Sequence, residues 1–97
     1  MYVVRQTREY AAWFRNIREK VVQSRIVARI ERVQLGNLGD VKSVGDGVHE
    51  LRLDFGPGYR VYFARAGETI ILLLCGGDKS SQARDIVRAK SLALELE

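Results

Sequence analysis

One cysteine, one proline, one histidine and no apolar run longer than Ile70 to Cys75 set the first limits on this chain. A lone cysteine offers no disulfide, so Cys75, inside that apolar run, reads as a small buried hydrophobe in a reducing, cytoplasmic setting. The run is too short to span a bilayer, and the first residues lack the basic-then-apolar pattern of a signal peptide. His49 and Cys75 have no ligand spacing around them, which excludes a zinc site; Asp40, Asp46, Glu50 and Asp54 would hold a divalent ion only if the fold gathered them. No metal or cofactor is therefore expected. A Ser or Cys triad fails as well, because His49 falls on the apolar face with Leu51 and Leu53 and reads as a partly buried strand residue. Gly76-Gly77-Asp78-Lys79-Ser80-Ser81 only grazes a P-loop, since the full GxxxxGK[ST] spacing is missing.

What is present suits a single domain spanning residues 1–97, large enough for one core of two layers. The apolar share of 46% and charged share of 29% are ordinary for a folded chain. The net charge of +4 is unevenly spread. Between Met1 and Leu35, Arg5, Arg8, Arg15, Arg18, Lys20, Arg25, Arg29 and Arg32 face only Glu9, Glu19 and Glu31. That local excess favours a polyanionic partner, nucleic acid or an acidic protein segment.

In chain order, a β-prone opening at Tyr2 to Arg5 leads to Thr7, a good helix N-cap, and then to Tyr10, Trp13, Phe14 and Ile17 at helical spacing. The aromatic stripe reads as core packing. After a break between Asn16 and Glu19, a second helix carries Val22, Ile26, Ile30 and Val33 on one face and Arg18, Arg25, Arg29 and Arg32 on the other. Those four arginines read either as a solvated face or as a phosphate track for RNA or the ribosome. Gly36 sits where a helix C-terminus expects glycine. Val41 to Val44 is a brief strand, and Gly45-Asp46-Gly47 has the turn chemistry of a tight hairpin.

The stretch from Val48 to Gln82 organises the rest. Leu51, Leu53 and Phe55 alternate with Glu50, Arg52 and Asp54, and Tyr59, Val61 and Phe63 alternate with Arg60 and Tyr62. The Gly56-Pro57-Gly58 corner, with proline at the second turn position, joins the two strands. Thr69 to Cys75 reads as the central strand of the sheet, and a last helix carries Ile86, Ala89, Ala93 and Leu96. The order β-α-α-β-β-β-β-α predicts an α+β fold, an antiparallel twisted sheet with helices packed on one face and the other partly open. On that open face Arg52, Arg60 and Tyr62 converge, with Lys79 delivered beside them after the last strand. Such a face could bind a phosphodiester and stabilise the charge that builds as a ribose 2′-hydroxyl attacks it, with Glu50 as base and Lys79 or Tyr62 as proton donor. The bland alternative is that Glu50 and Asp54 pair with Arg52 and Arg60 on a solvated surface.

The run GVHELRLDFGPGYRVYF, the apolar strand and GGDKSSQARDIVRAKSLALELE resemble the addiction-module killer proteins of the RelE/ParE toxin superfamily, close to the HigB-type toxins. The resemblance implies the RelE-like fold and a cytoplasmic toxin of a type II toxin-antitoxin system. It implies a metal-independent endoribonuclease, an mRNA interferase that cleaves messenger RNA on the ribosome and inhibits translation. A cognate antitoxin, a small helix-turn-helix protein, would neutralise it in a hetero-oligomer. It carries catalytic roles onto Arg52, Arg60 and Lys79. The superfamily also holds inhibitors of DNA gyrase that do not cut RNA, and this chain lacks the histidine near the last strand and the tyrosine in the last helix that many family nucleases carry. Base and acid stay open among Glu50, Lys79 and Tyr62.

Overall fold

A computed structural model describes residues 1–95. Strand β1 (Val3–Gln6) leads into helices α1 (Arg8–Arg15) and α2 (Lys20–Gln34), followed by strands β2 (Val41–Gly45), β3 (Val48–Arg52), β4 (Arg60–Ala66) and β5 (Ile70–Gly77). A short 3₁₀ turn, Lys79–Ser81, then opens helix α3 (Gln82–Glu95). This is the expected α+β order. The five strands lie as β1-β5-β4-β3-β2, antiparallel except for β1, which pairs parallel to β5; β4 and not β5 is therefore the central strand, because the N-terminal strand adds beyond β5. No described helix is long and apolar enough to cross a membrane.

Local chemistry sets the element ends. Thr7 caps α1, its hydroxyl oxygen accepting from the Tyr10 amide at 3.0 Å while its own proton goes to the Leu74 carbonyl at 2.6 Å. One side chain thus starts the helix and ties it to the sheet. Gly36, at φ 93°, ends α2 in a left-handed cap in which the Asn37 amide reaches back to the Arg32 carbonyl. Asp46 and Gly47, both at positive φ, form the two-residue turn between β2 and β3. At the other hairpin, Gly56 and not Pro57 takes the second turn position: Gly58 N–H bonds the Phe55 carbonyl, and Gly56 has φ 58°.

The sheet is covered on both sides. Under α1 and α2 lie Leu51, Leu53, Val61, Phe63, Ile71 and Leu73, packed against Tyr10, Val22, Ile26 and Val33. His49 sits on this face as expected, stacked on Phe63 at 5.3 Å. The opposite face, expected to be partly open, is roofed by α3: Ala89 and Leu92 pack on Val48, Tyr62, Leu74 and Cys75. Ile86 and Ala93 extend this narrow apolar stripe along the helix. Leu96, assigned to the same stripe, lies outside the described residues. A bulge at the β4–β5 pair, where Tyr62 faces Cys75 but Phe63 faces Leu73, turns Leu74 and Cys75 into the same cluster. Cys75 is buried, as expected, and desolvation pushes its thiol up to about 12.

Past the bulge, Gly76 lies against the Trp13 indole, where an added Cβ would overlap ring carbons. Gly76→Ala is expected to lose about 1–3 kcal/mol of stability through overpacking. A chemical denaturation midpoint equal to wild type would show that α1 does not press on β5 there.

Candidate nucleic-acid interface

Strand register assembles a cleft at one end of the sheet. Arg52 faces Arg60 across β3 and β4, Arg60 faces Gly77 across β4 and β5, and Lys79 follows two residues on. Three strand ends thus bring together three cations that are far apart in sequence. The Lys79 amide donates to the Pro57 carbonyl at 3.4 Å, which ties the 3₁₀ turn to the hairpin corner. The resulting open cleft, about 460 Å³, is lined by Asp40, Arg52, Leu53, Asp54, Gly56, Pro57, Gly58, Arg60 and Lys79.

Its cations are held differently. Lys79 is exposed and makes no ion pair among the described residues. Arg52 donates through Nε and Nη2 to Asp40 Oδ1 at 3.2 and 2.9 Å. The contact holds the Asp40 carboxyl below its usual range and raises the Arg52 guanidinium, in each case chiefly through that hydrogen bond. Arg60 is sunk into the wall, its side chain only 12% exposed. Its Nη1 donates to the carbonyls of Gly58 and Tyr59 at 3.0 and 3.1 Å, and its Nε lies 3.8 Å from Glu50 Oε1.

Glu50 and Tyr62 occupy a different place from the one the alternation implied. Both have 0% exposure. They point to the expected side of the sheet, but α3 covers that side. Glu50 Oε2 accepts from the Tyr62 hydroxyl at 3.2 Å and from Gln82 Nε2, at the start of α3, at 2.7 Å. Burial first, and the neighbouring Glu50 carboxylate next, raise the Tyr62 phenol and make it a still weaker acid. Neither side chain is open to the cleft, so the burial does not fit the base and acid roles expected of them. Asp40, read in the sequence only as a metal ligand, and Asp54, read as a metal ligand or an ion-pair partner of the arginines, are the carboxylates that line it. Among the described residues no group of three His, Cys, Asp or Glu side chains could hold a metal ion.

The N-terminal arginines separate into three kinds. Arg18 precedes α2, and it and Arg32 are exposed. Arg25 lies over the Phe55 ring, its guanidinium carbon 4.1 Å from the centroid. Arg29 is a structural tether: Nη1 donates to the Arg52 carbonyl at 2.6 Å, and Nη2 to those of Leu38 and Asp40 at 3.1 and 2.9 Å. Desolvation lowers its guanidinium, with Asp40 opposing. Arg25, Arg29 and Arg32 line a second hollow of about 240 Å³, which shares Leu53 and Asp54 with the cleft. The helix patch and the strand-end cations, read separately from sequence, thus form adjoining parts of one surface.

A five-stranded sheet with two helices on one face, one on the other and cations gathered at the strand ends defines the class: a small α+β protein of RelE-like fold. The crystal structure of the intact E. coli RelBE toxin-antitoxin complex contains a chain that superposes with a TM-score of 0.63, covering 80% of this chain and 96% of that one at 12% identity. Residues 12–95 match the family described as "Phage derived protein Gp49-like (DUF891)", and the chain belongs to that family. An uncharacterized protein of Haemophilus influenzae is 47% identical over 93 residues, which is 96% of this chain and 94% of that protein.

If Arg29 is a tether, Arg29→Gln should cost about 1.5–3 kcal/mol by stripping charged donors from carbonyls at the cleft rim, whereas Arg18→Gln and Arg32→Gln should stay within about 0.5 kcal/mol of wild type. Equal denaturation midpoints for all three would refute the distinction.

Proposed function

We propose that this protein is the toxin of a type II toxin-antitoxin system, a ribosome-dependent endoribonuclease that cuts messenger RNA in the cleft between Arg52, Arg60 and Lys79. The observation that carries the reading is the convergence of those three cations at the strand ends of a RelE-like sheet. The RelE-like fold and the Gp49-like family support a toxin at the coarser level. The structural neighbour comes from a toxin-antitoxin complex, which supports an antitoxin as the physiological partner.

In the proposed reaction the 2′-hydroxyl oxygen attacks the adjacent phosphorus, the bond to the 5′-oxygen breaks, and a 2′,3′-cyclic phosphate and a 5′-hydroxyl result. Arg60 and Lys79 stabilise the charge developing on the phosphoryl oxygens. Arg52, already shared with Asp40, contributes less net charge and steers the backbone. Asp40 is a weak base because Arg52 holds its proton affinity down. Asp54, exposed on the cleft wall and in no ion pair among the described residues, is the carboxylate left to accept the 2′-hydroxyl proton. Lys79 supplies the proton for the leaving oxygen. Arg25 and Arg32, on the adjoining hollow, extend the cationic surface along the RNA.

Primer extension on a reporter transcript with translating ribosomes should show discrete stops within the reading frame. An intact transcript together with inhibited DNA supercoiling would move the assignment to a gyrase-inhibiting toxin. Lys79→Ala should lower cleavage roughly a hundredfold while shifting stability by no more than about 0.5 kcal/mol. Arg60→Ala should lose both activity and stability, the latter on the order of 3 kcal/mol because Glu50 is left buried without its cation. Full cleavage by Lys79→Ala would remove that residue from the site.

A further inference from the structure

We propose that Glu50 is a positioning residue for Arg60, a carboxylate built into the sheet to fix how the guanidinium faces the cleft; this rests on the reading that Arg60 meets a phosphodiester there. Glu50 is the one fully buried charged side chain among the described residues. A carboxylate without water needs a counter-charge and donors, and Glu50 has both in a divided arrangement. Oε2 is occupied by the Tyr62 hydroxyl at 3.2 Å and by Gln82 Nε2 at 2.7 Å, one donor from the sheet and one from α3. Two donors on one oxygen fix the plane of the carboxylate. Oε1 is thereby turned toward Arg60 and has no hydrogen-bond partner of its own.

Arg60 shows the complementary division. Its Nη1 is committed to the carbonyls of Gly58 and Tyr59, and its buried Nε, likewise without a hydrogen bond, lies 3.8 Å from Glu50 Oε1. At that separation the contact is an ion pair and not a hydrogen bond. Nη2 donates to nothing among the described residues and is the nitrogen left for a phosphoryl oxygen. A guanidinium is a planar fork, so fixing Nε and Nη1 fixes the direction of the Nη2 protons. Glu50 therefore acts on the chemistry through Arg60 and touches no substrate.

The test separates this role from simple core packing and from the cleavage assignment itself. In ¹H–¹⁵N spectra the Arg60 Nε–H of the wild-type protein should exchange slowly with water. Glu50→Gln keeps shape and acceptor but removes the charge; it should leave a folded protein, speed that exchange roughly tenfold or more, and lower kcat on programmed ribosomes by up to roughly a hundredfold with KM little changed. An Arg60 signal identical to wild type in the folded variant would overturn the proposal, as would undiminished kcat. If the wild-type protein cuts no RNA on ribosomes, the nuclease reading falls and the Nε–H exchange alone decides the positioning claim. Should Glu50→Gln fail to fold, Gln82→Ala, at the half-buried start of α3, removes one of the two donors that orient the carboxylate. Faster Nε–H exchange there supports the proposal, and unchanged exchange overturns it.

Discussion

Strand β4 is buried on both faces, and the remainder of the molecule follows from that constraint. Val61 and Phe63 point into the core under α1 and α2, while Tyr62 between them points under α3. A slip of one residue would exchange the two sets and bury Arg60 where Val61 now sits. Register is therefore fixed by two cores at once. The same register lines up Arg52, Arg60 and Gly77 across three strands, so core packing brings the strand-end cations to one place.

The two helical layers reach this sheet by different chemistry. On the α1 side, aromatic side chains dominate: Tyr10, Trp13 and Phe14 pack on one another and on the sheet, and Gly76 is small because Trp13 lies on it. On the α3 side the contact is thinner, relying on Ala89, Leu92 and a bulge that delivers two consecutive apolar residues. Polar ties reinforce it. Arg88 forks onto Glu9 with contacts of 2.7 to 2.9 Å, joining α3 to α1, and Gln82 plugs into Glu50. The Glu9–Arg88 pair is solvated and adds little on its own, whereas the Gln82 contact reaches a group that has no water to fall back on.

Much of the fold was legible in the sequence because short-range chemistry decides it. Thr7 as a cap, Gly36 as a helix stop, the Asp46-Gly47 turn and the alternation through Leu51, Leu53, Val61 and Phe63 each have one satisfactory structural answer. The cleft was legible in outline for the same reason: alternation places Arg52 and Arg60 on one side, and Lys79 follows the last interior strand. What alternation cannot show is what covers a face. Alternation puts Glu50 and Tyr62 on the correct side of the sheet, but a polar residue in a strand carries no mark of whether a helix that begins only at Gln82 will lie over it. Arg29 illustrates the same limit, because its periodicity matched Arg25 and Arg32 while its partners are carbonyls of a loop and of β3.

A buried carboxylate immediately behind an arginine changes what that arginine can do. Exposed guanidiniums reorient with solvent, so part of any electrostatic stabilisation they offer is lost in ordering them as charge develops. Arg60 has that ordering supplied beforehand, by two carbonyls at the hairpin corner and by Glu50 from beneath. The arrangement also divides labour among the three cations. Lys79 is exposed and makes no ion pair among the described residues, Arg52 is paired with Asp40, and Arg60 is the one held from behind. Rigid placement of a charge at the mouth of a sheet requires something behind it that cannot move, and only the interior of the fold provides that. The polar network of Glu50, Tyr62 and Gln82 is thus best understood as the part of the cleft that faces inward, which is why it sits under α3 and not in the open.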